Sequence, residues 1–88
     1  METIRIISVK TDLVKSGIGT KLVVPDSIKG KGYYNSRIFA SEAEAVIAKG
    51  ILMLLIERDG MNNEFYSEWE FLLKVTLRLI YSTKTWSE

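Results

Sequence analysis

Between Ser41 and Gly60 a helix start signal, an almost unbroken apolar run and a helix stop signal follow one another. Ser41-Glu42-Ala43-Glu44 has the form of a capping box: the Ser41 hydroxyl accepts from the backbone N–H of Glu44, and the Glu44 carboxylate accepts from the N–H of Ser41. Gly60 follows Ile51-Leu52-Met53-Leu54-Leu55-Ile56-Glu57-Arg58-Asp59 as a left-handed C-cap. A helix with this much apolar surface must bury one face, so the rest of the chain has to supply a layer for it to lie on.

That layer is small. The chain has 88 residues, the length of a single domain, and a chain this short buries only roughly 60–70% of the surface that its unfolded form exposes. Cysteine and histidine are both absent. No disulfide or thiolate zinc site can therefore staple the fold, and the usual nucleophile–base pairs and imidazole metal ligands are unavailable. The sequence predicts no catalytic residue, no metal and no cofactor. Met1-Glu2-Thr3-Ile4-Arg5 lacks the basic and apolar regions of a secretory signal. The longest strictly apolar run, Ile51 to Ile56, falls far short of the roughly 20 residues that span a bilayer. The expectation is a cytoplasmic protein without a membrane partner.

Upstream of Ser41 the pattern is that of strands. Thr3 to Val9 is rich in β-branched residues, with Ile4 and Ile6 on one face and Ile7 and Val9 on the other. Asp12 to Thr20 reads as a loop with one helical turn at Asp12-Leu13-Val14-Lys15, and Lys21 to Val24 as a second short strand stopped by Pro25-Asp26-Ser27. After a basic turn, Lys29-Gly30-Lys31-Gly32, the segment Tyr33 to Ala40 reads as a third strand. A second helix starts at Asn62 or Asn63, or at the capping-box signature Ser67-Glu68-Trp69-Glu70, and runs to about Ser82. Its core stripe is Phe65, Trp69, Leu72, Thr76, Leu79 and Ile80.

The predicted fold is α+β, a three-stranded antiparallel sheet followed by a two-helix antiparallel hairpin, in the order β-β-β-α-α, over one domain spanning residues 1–88. Two helices side by side would cover one sheet face completely and leave the other for a partner. The charge divides along the same line: residues 1–40 carry seven basic and three acidic side chains, and residues 41–88 carry five basic and eight acidic ones. A basic sheet half thus meets an acidic helical half.

Helical projection at about 100° per residue places Glu42, Val46, Lys49, Met53 and Glu57 on the water-facing stripe of the first helix. On the second helix Ser67, Glu70, Lys74 and Arg78 form the polar stripe, bordered by Phe71, Val75 and Leu77. Apolar residues that interrupt or border a polar stripe on both helices point to a protein-contact surface, and the predicted partner-binding residues are Val46, Lys49, Met53, Phe71, Leu77 and Trp86. Gly50, in mid-helix, costs roughly 1 kcal/mol relative to alanine, which close approach of another element would explain. The expectation is a non-enzymatic module that occupies a partner surface as an inhibitor, adaptor or assembly factor. Its partners would be a second copy of itself and another protein.

The alternative is a nucleic-acid-binding regulator. Lys29, Lys31, Tyr33 and Arg37, with Tyr34, combine positive charge, backbone freedom and stackable rings. Gly17-Ile18-Gly19 and Gly30-Lys31-Gly32 fit neither a dinucleotide fingerprint nor a P-loop. The carboxylates Glu42/Glu44 and Glu64/Glu68/Glu70 are accounted for by helix N-termini, which attract acids through the macrodipole.

Overall fold

The computed structural model describes residues 3–60 and 63–86, with side chains described as far as Ser82. The chain runs β1 (Arg5–Lys10), β2 (Ile18–Val23), α1 (Lys31–Asn35), β3 (Ile38–Phe39), α2 (Glu42–Asp59) and α3 (Tyr66–Trp86). The strands form one antiparallel sheet in the order β1-β2-β3, and two packed helices follow it.

Sheet register decides which side chains meet the helices. Ile6 pairs with Leu22, Ser8 with Thr20, and Thr20 in turn with Phe39, so these residues share a face because opposed residues in antiparallel strands point the same way. Leu22, Thr20 and Phe39 are buried there, with Ile4 and Val24 continuing the face at the strand ends. Ala45, Ala48, Leu52 and Leu55 of α2 and Phe65, Trp69 and Leu73 complete the core.

The opposite sheet face carries Ile7, paired with Lys21, and Val9, paired with Gly19. It is partly closed by the chain itself. A Cβ on Gly19 would lie 2.6 Å from Ile38 Cγ2 and 2.9 Å from Thr11 Cγ2, so the Ile38 and Thr11 side chains press on the glycine backbone. Asp12 and Leu13 lie in a turn rather than a helix, and the loop is tied by hydrogen bonds of 2.9 Å from Thr11 N–H to the Gly17 carbonyl and from Gly17 N–H to the Val14 carbonyl.

The expected third strand is present and completes the sheet, but it is much shorter than Tyr33 to Ala40. Residues 31–35 form one helical turn, and β3 is only Ile38–Phe39. Gly30 at φ 81° turns the chain into this helix. The turn buries Tyr34 completely and brings the Asn35 Oδ1 to the Val24 backbone N–H, which donates to it at 2.7 Å. An extended segment would have left both groups elsewhere.

Helix α2 begins as its cap foretells. The Ser41 hydroxyl accepts from Glu44 N–H at 3.3 Å. The Glu44 carboxylate does not complete the box; it accepts from the Tyr81 hydroxyl of α3 instead. Gly60 has φ 86° and ψ 164°, a region open essentially to glycine alone rather than the left-handed helical one, and its N–H donates to the Ile56 carbonyl at 2.7 Å. Helix α3 starts one residue before Ser67, so the second capping-box signature lies inside the helix. α2 contacts all three strands while α3 packs against α2, so the two helices do not share the sheet equally. As a result the predicted α3 stripe holds only near its start. Phe65 and Trp69 are buried, Leu73 takes the place expected for Leu72, and Leu79 and Ile80 are exposed where the helix runs beyond the core.

Candidate interaction surface

The α2–α3 hairpin is held at several points. At one end the Arg58 guanidinium grips Glu68 with both nitrogens, Nη1 to Oε2 at 2.9 Å and Nη2 to Oε1 at 2.7 Å, and also pairs with Asp59. Bidentate pairing of this kind fixes direction as well as distance. The hydrogen bonds from Arg58 hold the Glu68 and Asp59 carboxyls below the usual carboxylate range. At the other end Tyr81 reaches Glu44, and between them Trp69 Nε1 donates to the Ala48 carbonyl at 2.9 Å.

These contacts set an antiparallel register and leave one side of the helical layer turned away from the sheet. On α2 that side carries Val46, Met53 and Leu54, which are 52%, 51% and 67% exposed. Glu68 lies on the α3 row that continues through Phe71, Leu72, Val75 and Leu79, because residues three and four apart share a helix face. In the register that the Arg58–Glu68 grip sets, Leu54, about one turn before Arg58, and Phe71, about one turn after Glu68, stand at the same level of the two antiparallel helices. Phe71 is 64% exposed, and Val75 and Leu79 are also exposed. The two helices thus present an outer face in which large apolar side chains outnumber charges.

Most of the predicted contact residues fall on this face. Val46, Met53 and Phe71 are exposed and Lys49 is half-buried at its border. Leu77 is half-buried and packs against the core, so it is a support of the fold rather than a rim residue. The Trp86 side chain lies outside the described residues. Leu54 was not among the predicted residues, although the run Ile51 to Ile56 contains the signal for it: six consecutive apolar residues circle a helix, and one buried face cannot hold them all. Gly50 is exposed and a Cβ there would meet nothing within 4 Å. Among the described residues no other element approaches it.

The basic set is arranged differently. Lys31 is paired with Asp26. Arg37 reaches Glu70 at 3.3 Å and lies 5.8 Å from the Phe39 ring centroid and 5.9 Å from that of Trp69. Tyr33 is 58% exposed but tilts against Tyr66, with ring centroids 5.1 Å apart, and Tyr34 is fully buried. Lys29 is exposed. Of the acids, Glu70 also accepts from the Tyr66 hydroxyl at 3.1 Å. No group of three or more acidic side chains suited to a metal ion occurs among the described residues. A shallow depression beside the α2–α3 turn is lined by Arg58, Asp59, Glu64, Tyr66 and Glu68, with the Arg58–Glu68 pair as part of its wall.

Fold and surface together define a small α+β domain with an apolar outer helical face. Compared with known proteins, the chain matches no family model, no curated protein and no solved structure. No helix among the described residues is long and apolar enough to cross a membrane.

Proposed function

We propose that this chain is a non-catalytic protein-binding module of the cytoplasm, a small inhibitor, adaptor or assembly factor, that acts by occupying a partner surface and is itself a homodimer. The observation that carries this reading is the outer face of α2 and α3, where Val46, Met53, Leu54 and Phe71 are each half to two-thirds exposed on the side away from the sheet. Contiguous exposed apolar area of this kind marks contact sites on soluble proteins, whereas scattered single residues would carry no such meaning.

The basic residues lend less support to a nucleic-acid reading, because Lys31 and Arg37 would have to leave Asp26 and Glu70 before they could neutralise phosphates. The test is capture of binding proteins by immobilised wild-type chain and by Leu54→Glu and Phe71→Glu variants. Loss of a captured protein in both variants, with far-UV helicity retained, supports the reading. Unchanged capture removes the helical face from it. Nucleic-acid binding whose steep salt dependence flattens in a Lys29→Ala, Lys31→Ala double variant would replace it.

A further inference from the structure

We infer that the occupant of the α2 outer face is α2 of a second copy, packed antiparallel across a two-fold axis at Gly50. The inference rests on the protein-binding reading and names its partner. Gly50 is a mid-helix glycine, and a Cβ there would meet nothing within 4 Å among the described residues, so none of them accounts for the missing side chain. Its flanks are symmetric in character. Three residues to either side stand Ile47 and Met53, and four residues to either side stand Val46 and Leu54. An isologous contact must be self-complementary, and a two-fold through Gly50 meets that requirement: Val46 of one copy faces Met53 of the other, and Leu54 of the other adjoins Ile47, which is half-buried against its own core, at both ends of the contact. The bare glycine backbones at the centre permit closer approach than the usual 8–10 Å between helix axes. Antiparallel packing also sets the N-terminus of each α2 beside the C-terminus of its mate, where the helix dipoles attract.

The extent of the surface suits a dimer. A stable interface takes about 800 Å² from each partner, a modest part of the 6254 Å² this chain exposes. Two adjoining helices, each at least about 27 Å long and about 10 Å wide, offer a face of that order, with Phe71 of α3 extending it beside Leu54. The sheet's second face is a poorer candidate because Ile38 and Thr11 already press on Gly19 there.

The absence of native cysteine allows a direct test by single introduced thiols under mild oxidation, read on non-reducing gels, alongside light scattering of the wild-type chain. The two-fold predicts a dimer mass and a disulfide between two copies of Gly50→Cys. Should the bulk of that thiol weaken association, an equimolar mixture of Val46→Cys and Met53→Cys provides an independent readout. These positions adjoin across the axis, whereas two copies of Val46→Cys stand about 12 Å apart along it, beyond the roughly 7 Å limit on Cα separation for a disulfide. The mixture should therefore cross-link and Val46→Cys alone should not. Met53→Glu should shift the mass to that of one chain with helicity retained. A wild-type chain that is monomeric at high micromolar concentration overturns the inference; if that monomer still captures another protein through Leu54 and Phe71, the protein-binding reading survives without it. A dimer that cross-links through Val46→Cys alone, or that Met53→Glu leaves intact, overturns the two-fold and locates the interface elsewhere.

Discussion

Trp69 on α3 donates its indole N–H to the carbonyl oxygen of Ala48 in the middle of α2, at 2.9 Å. A carbonyl has two lone pairs, so this bond does not require the α2 ladder to open. Ala45 and Ala48 are both fully buried, and side chains this small leave room for the indole to reach the backbone. Trp69 is also wedged edge-on against Tyr34, with centroids 5.0 Å apart, and tilted against Tyr66 at 5.6 Å. One side chain thereby ties both long helices to the short helix α1.

Replacing Trp69 by phenylalanine keeps an aromatic ring but removes the donor and part of the volume. The loss of a buried hydrogen bond and the void left behind together predict a destabilisation of about 2–3 kcal/mol. Urea unfolding followed by far-UV circular dichroism measures it. A change below about 0.5 kcal/mol, the size of an ordinary surface substitution, would show that the indole does not carry the helix junction.

Tyr34 should behave in the opposite way. Its side chain is fully buried, and its hydroxyl lies near the Phe65 backbone N–H without forming a hydrogen bond of good geometry among the described residues. A buried polar group left wholly unsatisfied costs about 1–3 kcal/mol, and this one is satisfied only in part, so Tyr34→Phe should raise stability at neutral pH by at most about 1 kcal/mol. Burial pushes the Tyr34 hydroxyl above its ordinary value. The unfolded chain therefore releases this proton first, and stability that is full below about pH 10 falls as the pH rises beyond it. The phenylalanine variant should lose part of that alkaline decline. Burial raises Tyr66 and the hydrogen bond to Glu44 raises Tyr81, so a shallower decline remains.

The acid side of the stability profile is governed differently. Arg58 lowers the Glu68 and Asp59 carboxyls through its hydrogen bonds. A group with a lowered folded-state pKa stabilises the fold above its unfolded value, near pH 4, and loses that contribution as the pH falls through the folded value. Arg58→Met should reduce the thermal midpoint at pH 7, and the reduction should shrink as the pH falls towards about 2 and the two carboxyls take up protons. Melting curves across that range test the claim; equal loss at both ends would mean that Arg58 acts through the packing of its stem and not through charge.

Physical range explains which features were legible beforehand. The start of α2 is written in a handful of adjacent residues: the Ser41 hydroxyl caps Glu44 N–H three positions away, and such contacts depend on little else. The sheet and the paired helices follow from apolar periodicity. Residues 31–35 were illegible as a helix because the groups that select it lie at a distance, Val24 for Asn35 and Trp69 for Tyr34. The same reason removed Glu44 from the capping box, since its competitor Tyr81 is 37 residues away. On the candidate face, Val46, Met53 and Phe71 could be placed from helical projection alone. Leu54 and the core role of Leu77 required knowing which side of α2 the second helix occupies.

Gly50 provides the sharpest separation between fold and association. Within one chain a methyl group at this position meets nothing within 4 Å among the described residues, and alanine in a helix interior is better than glycine by roughly 0.8–1.0 kcal/mol. Gly50→Ala should therefore stabilise the isolated chain by up to about 1 kcal/mol, seen as a higher urea midpoint at concentrations too dilute for dimers. Across a two-fold at Gly50 the same methyl groups from both copies would enter the closest part of the contact and force the helices apart. Separating tightly packed surfaces typically costs about 1–3 kcal/mol, so the dimer dissociation constant, read by light scattering over a dilution series, should rise about 10-fold or more. Stability and association thus move in opposite directions for one methyl group. Should the variant associate as tightly as the wild type while its urea midpoint rises, Gly50 does not lie at an interface, and its place in α2 would reflect only a helix that tolerates the cost.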